Sequence, residues 1–354
     1  MDHIKRIASG LDSLGLDAML VSSAPGEFYA VGFHGEGYAI ITNSACRYST
    51  DTRYIEAAAK IQGAELICIS PTKGHAEYAA ETVQAWNIKR LGIEDEYMSV
   101  QEYSKLRQLM PEVEFVPASE YMAQLRAVKD EEELQCMRAA QDITDRTFTE
   151  ILNYIKPGVS EKEIAARLTY LQMSMGASVN SFDPIVASGP NGSMPHAIPS
   201  EKLVQQGEFV TLDFGCVFGG YCSDMTRTIC VGKPTEEMEI VYNTVLKAQL
   251  AGIELCRGGV RGCDVHNAAA DVIAAAGYGQ YFGHGYGHSL GIEIHENPRA
   301  NAINDKPIPT GAVLSAEPGI YLPGKFGVRI EDLIIYRENG YEDYTKSPKN
   351  LICL

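Results

Sequence analysis

The residues able to do chemistry in this chain are a few carboxylates and histidines set in apolar or glycine-rich sequence. The stretch Thr211–Thr228, TLDFGCVFGGYCSDMTRT, carries Asp213 and Asp224 and little other charge. Phe209, Val210, Leu212, Val217 and Phe218 read as strand, and Gly219-Gly220 supplies a tight turn. A turn near Phe218–Gly220 makes the two aspartates approximate cross-strand partners, with Cβ atoms about 4.5–5.5 Å apart. Like charges that close repel and resist ionisation. A cation between them removes both objections. One Asp capping a turn while the other faces water is the bland alternative, and it fits poorly with the depletion of Asp in strands.

Three of the eight histidines, His284, His288 and His295, fall in FGHGYGHSLGIEIHENPR, where glycines let side chains approach a ligand closely. Glu317 follows an apolar strand in AVLSAEPGIY, and Glu331 lies within FGVRIEDLIIY. A carboxylate in such surroundings is normally paired or metal-bound, because burying it free is costly. For Glu331 the simpler reading is an ion pair with Arg329. Four carboxylates with histidine nitrogen suit Mn²⁺, Co²⁺, Fe²⁺ or Zn²⁺ rather than copper. They exceed the needs of one ion and suit two ions about 3.5–4 Å apart, sharing bridging carboxylates.

In order and context, Asp213, Asp224, His288, Glu317 and Glu331 match the ligand set of the pita-bread metallopeptidases. The strings DFG…CSDMTRT, HGYGHSLG, EPGIY and GVRIED agree as well. The chain resembles the aminopeptidase P and prolidase branch, and the resemblance covers nearly its whole length. It implies two divalent metal ions, manganese first, with cobalt, zinc or iron as alternatives. Asp213 would chelate one metal and His288 and Glu317 the other, with Asp224 and Glu331 bridging. A hydroxide between the metals would attack the scissile carbonyl, and Glu317 would shuttle its proton to the leaving amine. By the same resemblance His196 contacts substrate and His295 stabilises the oxyanion. Phe182, His284, Tyr321 and Arg329 would form the proline pocket, and Arg299 is a candidate for binding a substrate carboxylate. Tyr286 stands where many relatives have a small residue, so the expectation is a narrower pocket or altered access to it.

The implied activity is release of an N-terminal residue preceding proline, that of an Xaa-Pro aminopeptidase acting on proline-containing peptides. An Xaa-Pro dipeptidase (prolidase) uses the same chemistry on a free dipeptide. A non-catalytic or creatinase-type relative is a third class, although such proteins typically lose ligands and all five are present here. The resemblance also implies a homodimer.

The elements that must position these residues divide in two. Before residue 125, strands at 17–22, 38–42, 65–70, 89–93 and 112–117 alternate with helices, among them residues 72–86, as in a layered α/β domain. Ile4, Ile7, Leu11 and Leu14 space a first helix, and His34 and His75 read as surface or loop residues. From residue 125, a charged run Lys129–Glu133 marks a solvated start to a long helix reaching Ile151. Ser160 and Glu163 form a capping box for the next helix. Two helices then strands occur twice, over residues 130–232 and 236–337. That order suggests an α+β domain of pseudo-duplicated halves, and the resemblance implies that it is a pita-bread catalytic domain (125–354) behind a smaller α/β creatinase-like domain (1–124).

Composition narrows the setting. With 46 acidic against 30 basic side chains, the net charge of −16 argues against nucleic-acid or anionic membrane partners. No run approaches the roughly 18 apolar residues of a membrane span. The first twenty residues lack the apolar core of a signal peptide. Nine scattered cysteines without CxxC pairs read as reduced thiols, and the expected compartment is the cytoplasm.

Overall fold

The computed structural model describes residues 2–354, which divide into two compact units with the boundary between Arg126 and Ala127. In the first, α1 (His3–Ala8), β1 (Ala18–Val21), α2 (Ala24–Val31), β2 (Tyr38–Ile41), β3 (Cys46–Thr50), α3 (Ile55–Ala58) and β4 (Glu65–Cys68) come in order. They are followed by α4 (His75–Ala85), β5 (Arg90–Ile93), α5 (Val100–Leu109), β6 (Glu114–Pro117) and α6 (Ser119–Ala127). The six strands form one mixed sheet ordered β4-β3-β2-β1-β5-β6. Ala18, Leu20, Leu91 and Ile93 of the central strands bury against Ala79 and Val83 of α4 and Leu106 of α5.

The second unit opens with α7 (Glu131–Ile151) and α8 (Glu161–Ser174), each entered through a complete capping box. Then come β7 (Val179–Asn180), β8 (Ile185–Ser188), β9 (Glu208–Phe214), β10 (Cys216–Phe218), β11 (Tyr221–Cys222) and β12 (Met225–Val231). A second helix pair, α9 (Glu236–Ile253) and α10 (Gly262–Ala275), precedes β13 (Gly287–Ser289), β14 (Glu296–Ala300) and β15 (Val313–Ala316). The chain closes with β16 (Gly319–Leu322), β17 (Phe326–Arg329), β18 (Asp332–Arg337) and β19 (Gly340–Asp343). The order of two helices then strands does occur twice. Each helix pair covers its own strands: Phe148, Ile164 and Leu168 pack on Val186, Leu212 and Ile229, while Val241, Val245 and Ile273 pack on Leu314 and Ile334.

Several expectations change. The hairpin turns at Gly219-Gly220, whose φ values of 58° and 83° suit a two-residue turn of primed type. Its register, however, pairs Asp213 with Thr226. Asp224 therefore lies two positions along, as a diagonal neighbour rather than a direct partner, because a two-residue turn leaves no slack in the ladder. Helices α2 and α5 went unread: the first opens on Ala-Pro-Gly, and the second is largely polar. The N-terminal helix ends at Ala8, and a 3-10 turn at Asp12–Leu14 leaves Leu14 exposed. His75 is the first residue of α4, half-buried against the Tyr38 ring and bonded to Ser49. The charged run is only partly solvated, since Lys129 and Glu133 are buried.

Candidate metal centre and peptide cavity

Strand alternation aims the first ligand. Val210, Leu212 and Phe214 enter the core under α7 and α8, which sends Thr211 and Asp213 to the opposite face of β9. Across the ladder, Thr226 and Thr228 of β12 take that face too. There the Glu331 amide donates to the Thr226 carbonyl at 3.0 Å, and the Arg329 amide to Thr228 Oγ1 at 3.2 Å. Buried Arg227 ties the same junction by donating to the Glu331 carbonyl and to Asp332 Oδ1. Asp224, Glu317 and Glu331 all sit in short breaks between strands. Leaving the ladder lets each carboxylate turn inward without losing a pairing partner.

His288 lies on β13, opposite Arg299 and next to a register shift at Ser289. Its Nδ1 faces the Ser289 carbonyl at 3.1 Å. A carbonyl only accepts, so Nδ1 holds the proton and Nε2 presents a lone pair. That nitrogen is 3.3 Å from Glu317 Oε1 and 3.7 Å from Asp224 Oδ2. Ligand atoms of Asp224, His288 and Glu331 all lie within 4.8 Å of one another. Three buried oxygens here, Asp213 Oδ1, Asp224 Oδ1 and Glu331 Oε1, have no hydrogen-bond partner among the described residues. Desolvation, then the charges of neighbouring carboxylates, raises the pKa of Asp224 and Glu331 well above the carboxylate range. Burial also raises that of Glu317 and lowers that of His288. Acceptors without donors, converging in a buried pocket, are what a divalent cation satisfies. The residues fit a metal.

All of the sequence-predicted site residues line one cavity of about 960 Å³: Phe182, His196, Asp213, Asp224, His284, His288, His295, Arg299, Glu317, Tyr321, Arg329 and Glu331. On its wall Arg329 Nη1 donates to the Tyr321 hydroxyl at 2.8 Å, which donates to His284 Nε2 at 3.0 Å; His284 Nδ1 donates to the Gly285 carbonyl. Arg329 ion-pairs with Asp213 rather than Glu331, so the simpler alternative for Glu331 does not hold; its Nε reaches Thr226 Oγ1, which in turn donates to Glu331. Tyr286 does not narrow the cavity. Its ring packs into the core over Gly252, its hydroxyl donates to the Gln249 carbonyl at 2.6 Å, and its own carbonyl accepts from the Glu317 amide.

Sequence reasoning missed the residues that hold these side chains. The Ser315 hydroxyl accepts from the His288 amide and donates to Glu317 Oε1. Glu161 is fully buried and gathers Ser188, Asn191 and Ser200, so it shapes the loop that carries His196. In the sequence Glu161 is one more acid in a helix first turn, and its partners are 27 to 39 positions away.

Comparison with known proteins agrees with this geometry. Residues 135–338 match the model of Metallopeptidase family M24, and residues 3–128 that of the Creatinase/Prolidase N-terminal domain. The chain belongs to metallopeptidase family M24. It is an enzyme, a peptide hydrolase, and its fold is the pita-bread domain behind a creatinase-type N-terminal domain. It is 40% identical over 352 residues to an uncharacterized peptidase, YqhT, of Bacillus subtilis, covering 99% of both chains. A solved Xaa-Pro dipeptidase from Bacillus anthracis is 40% identical with a TM-score of 0.96, covering 100% of this chain and 99% of that one. The X-Pro aminopeptidase from Thermotoga maritima is 34% identical with a TM-score of 0.92, over 97% of this chain and 99% of the other. Relatives of similar likeness thus carry both activities in their names.

Proposed function

We infer that this M24 peptidase is a dinuclear enzyme that hydrolyses the bond between an N-terminal residue and a following proline, as an Xaa-Pro aminopeptidase. The observation that carries the reading is the convergence of His288 with the Asp224 and Glu331 carboxylates, in a cavity where Asp213, Asp224 and Glu331 each keep an unpartnered buried oxygen, beside the Arg329–Tyr321–His284 wall. Asp213, Asp224, His288, Glu317 and Glu331 would hold two divalent ions, manganese first. When bound, these supply Lewis acidity toward the scissile carbonyl and acidify a water. Glu317, with its pKa raised by burial, takes a proton and returns it to the leaving amine. His196 orients the peptide and His295 donates to the developing oxyanion, both from the cavity rim. Phe182, His284, Tyr321 and Arg329 surround the proline. Room for residues beyond a dipeptide comes from the cavity, at the upper end of the roughly 300–1,000 Å³ usual for ligand sites.

Division into residues 1–124 and 125–354, a homodimer and a cytoplasmic setting belong to the same proposal. Its nine cysteines are all free thiols, as a reducing compartment would keep them. The test is hydrolysis of Xaa-Pro tripeptides by metal-loaded protein, lost in Glu317→Gln and Asp224→Asn. Cleavage surviving full chelation would sink the reading.

One observation favours the dipeptidase instead. Arg299 is exposed on the cavity wall, one strand from His288, and its guanidinium makes no hydrogen bond or ion pair with any described residue. A free cation there suits a substrate carboxylate. Arg299→Ala would then raise KM for a free Xaa-Pro dipeptide and leave the amidated form unchanged. Equal turnover of both forms by the unmutated enzyme excludes the dipeptidase.

A further inference from the structure

Glu296 follows His295 directly, and its carboxylate points away from solvent into a buried junction. Its Oε1 accepts from the amides of Ile292 and Glu293, at 3.0 and 3.2 Å, closing the turn that presents His295. Oε2 accepts from Lys129 Nζ at 3.1 Å. The Lys129 side chain is 1% exposed, and the same ammonium donates to Ser289 Oγ at 3.2 Å. Ser289 is the neighbour of His288. One cation from the segment ahead of α7 thus clamps both ends of residues 289–296.

Two further contacts make this junction specific. The Gly291 carbonyl accepts from the Cys222 amide at 2.7 Å, two positions before Asp224. A Cβ on Gly291 would stand 2.9 Å from Glu296 Oε2 and 3.0 Å from Lys129 Cε, so a side chain there would push against the pair. Backbone pairing cannot fix the segment alone, because the β13–β14 register slips between His288 and Ser289. Where the ladder slips, something else must set the spacing of the two imidazoles, whose ring centroids lie 4.5 Å apart.

We propose that Lys129 is a positioning residue: its buried ammonium, clamped between Ser289 and Glu296, sets His288 and His295 relative to each other and to the Asp224 segment. The inference rests on the reading of those three residues as parts of the metal and substrate site. A buried pair is poor evidence for stability by itself, since apolar substitutes often serve as well. Its value here is geometric, in the way outer partners orient metal ligands.

Lys129→Met keeps the length and apolar stem and removes the charge. Calorimetric titration of the metal-free variant with Mn²⁺ should show affinity lowered about 10- to 100-fold. The amides of Ile292 and Glu293 should lose protection from hydrogen exchange. If Glu296 deprived of the Lys129 ammonium prevents folding, Lys129→Met/Glu296→Gln removes both charges, and Gln Oε1 can still accept the two amides. That double variant should regain stability while metal affinity stays low. Unchanged affinity and protection in folded Lys129→Met would overturn the proposal. So would full recovery of affinity in the double variant, since Lys129 would then serve only to neutralise Glu296. Both readouts need no peptide, so failure to cleave Xaa-Pro substrates would count against the proposed activity and leave this inference standing.

Discussion

Replacing Arg329 with Met should be among the most damaging single changes near the cavity, through stability before catalysis. The Arg329 side chain is 4% exposed and that of its partner Asp213 11%. Its guanidinium serves Asp213 Oδ2, the Tyr321 hydroxyl, Thr226 Oγ1 and the Pro195 carbonyl. Without it, Asp213 Oδ2 joins Oδ1, which already lacks a partner, and a buried carboxylate stands alone. Breaking one side of a buried ion pair costs about 3–5 kcal/mol. In a unit the size of residues 127–354 each kcal/mol moves Tm by about 2–4 °C. The expected drop is therefore about 6–20 °C, measured by calorimetry on chelated protein. Adding Asp213→Asn removes the stranded charge and should return part of the loss. A single-variant shift under about 2 °C, the range of ordinary surface changes, would refute the reasoning.

Other outcomes follow from the same geometry. Because burial raises the folded-state pKa of Asp224, Glu331 and Glu317, their protonated forms stabilise the metal-free protein below the usual carboxylate range. That contribution is lost as pH rises through the raised values, so Mn²⁺ should increase Tm more at about pH 8 than at about pH 5.5. Equal increments would contradict it. Tyr286→Phe should lower stability by about 1 kcal/mol and leave KM unchanged, since the hydroxyl bonds Gln249 on the core side. Gly252→Ala should cost about 1–3 kcal/mol by driving a Cβ into the Tyr286 ring, with chemical denaturation as the measurement. Glu161→Ala should raise KM for peptides and leave Mn²⁺ affinity alone, because it frees the His196 loop and touches no metal-facing oxygen. Weakened Mn²⁺ binding would count against that division of roles.

The residues by themselves singled out the acids and clustered histidines of the cavity, while His196, Phe182, Tyr321 and Arg299 came from the family resemblance. Acids and histidines in apolar or glycine-rich runs stand out because burial makes them costly, and that local cost is readable without coordinates. The capping box at Ser160 and the Gly219-Gly220 turn were legible too, each being settled within a few residues. What needed the tertiary structure was aim and partnership. A shift of two residues decided that Asp213 faces Thr226 rather than Asp224, and Arg329 chose Asp213 over Glu331 across 116 positions. Tyr286 turned inward because Gly252, on α9, leaves it space. Lys129 read as a solvated helix start, yet it is buried against Glu296, 167 positions on. Composition and spacing carry the kind of chemistry, since that depends on residue type. Which group satisfies which depends on chain segments that meet only when the two halves of the catalytic unit fold onto each other.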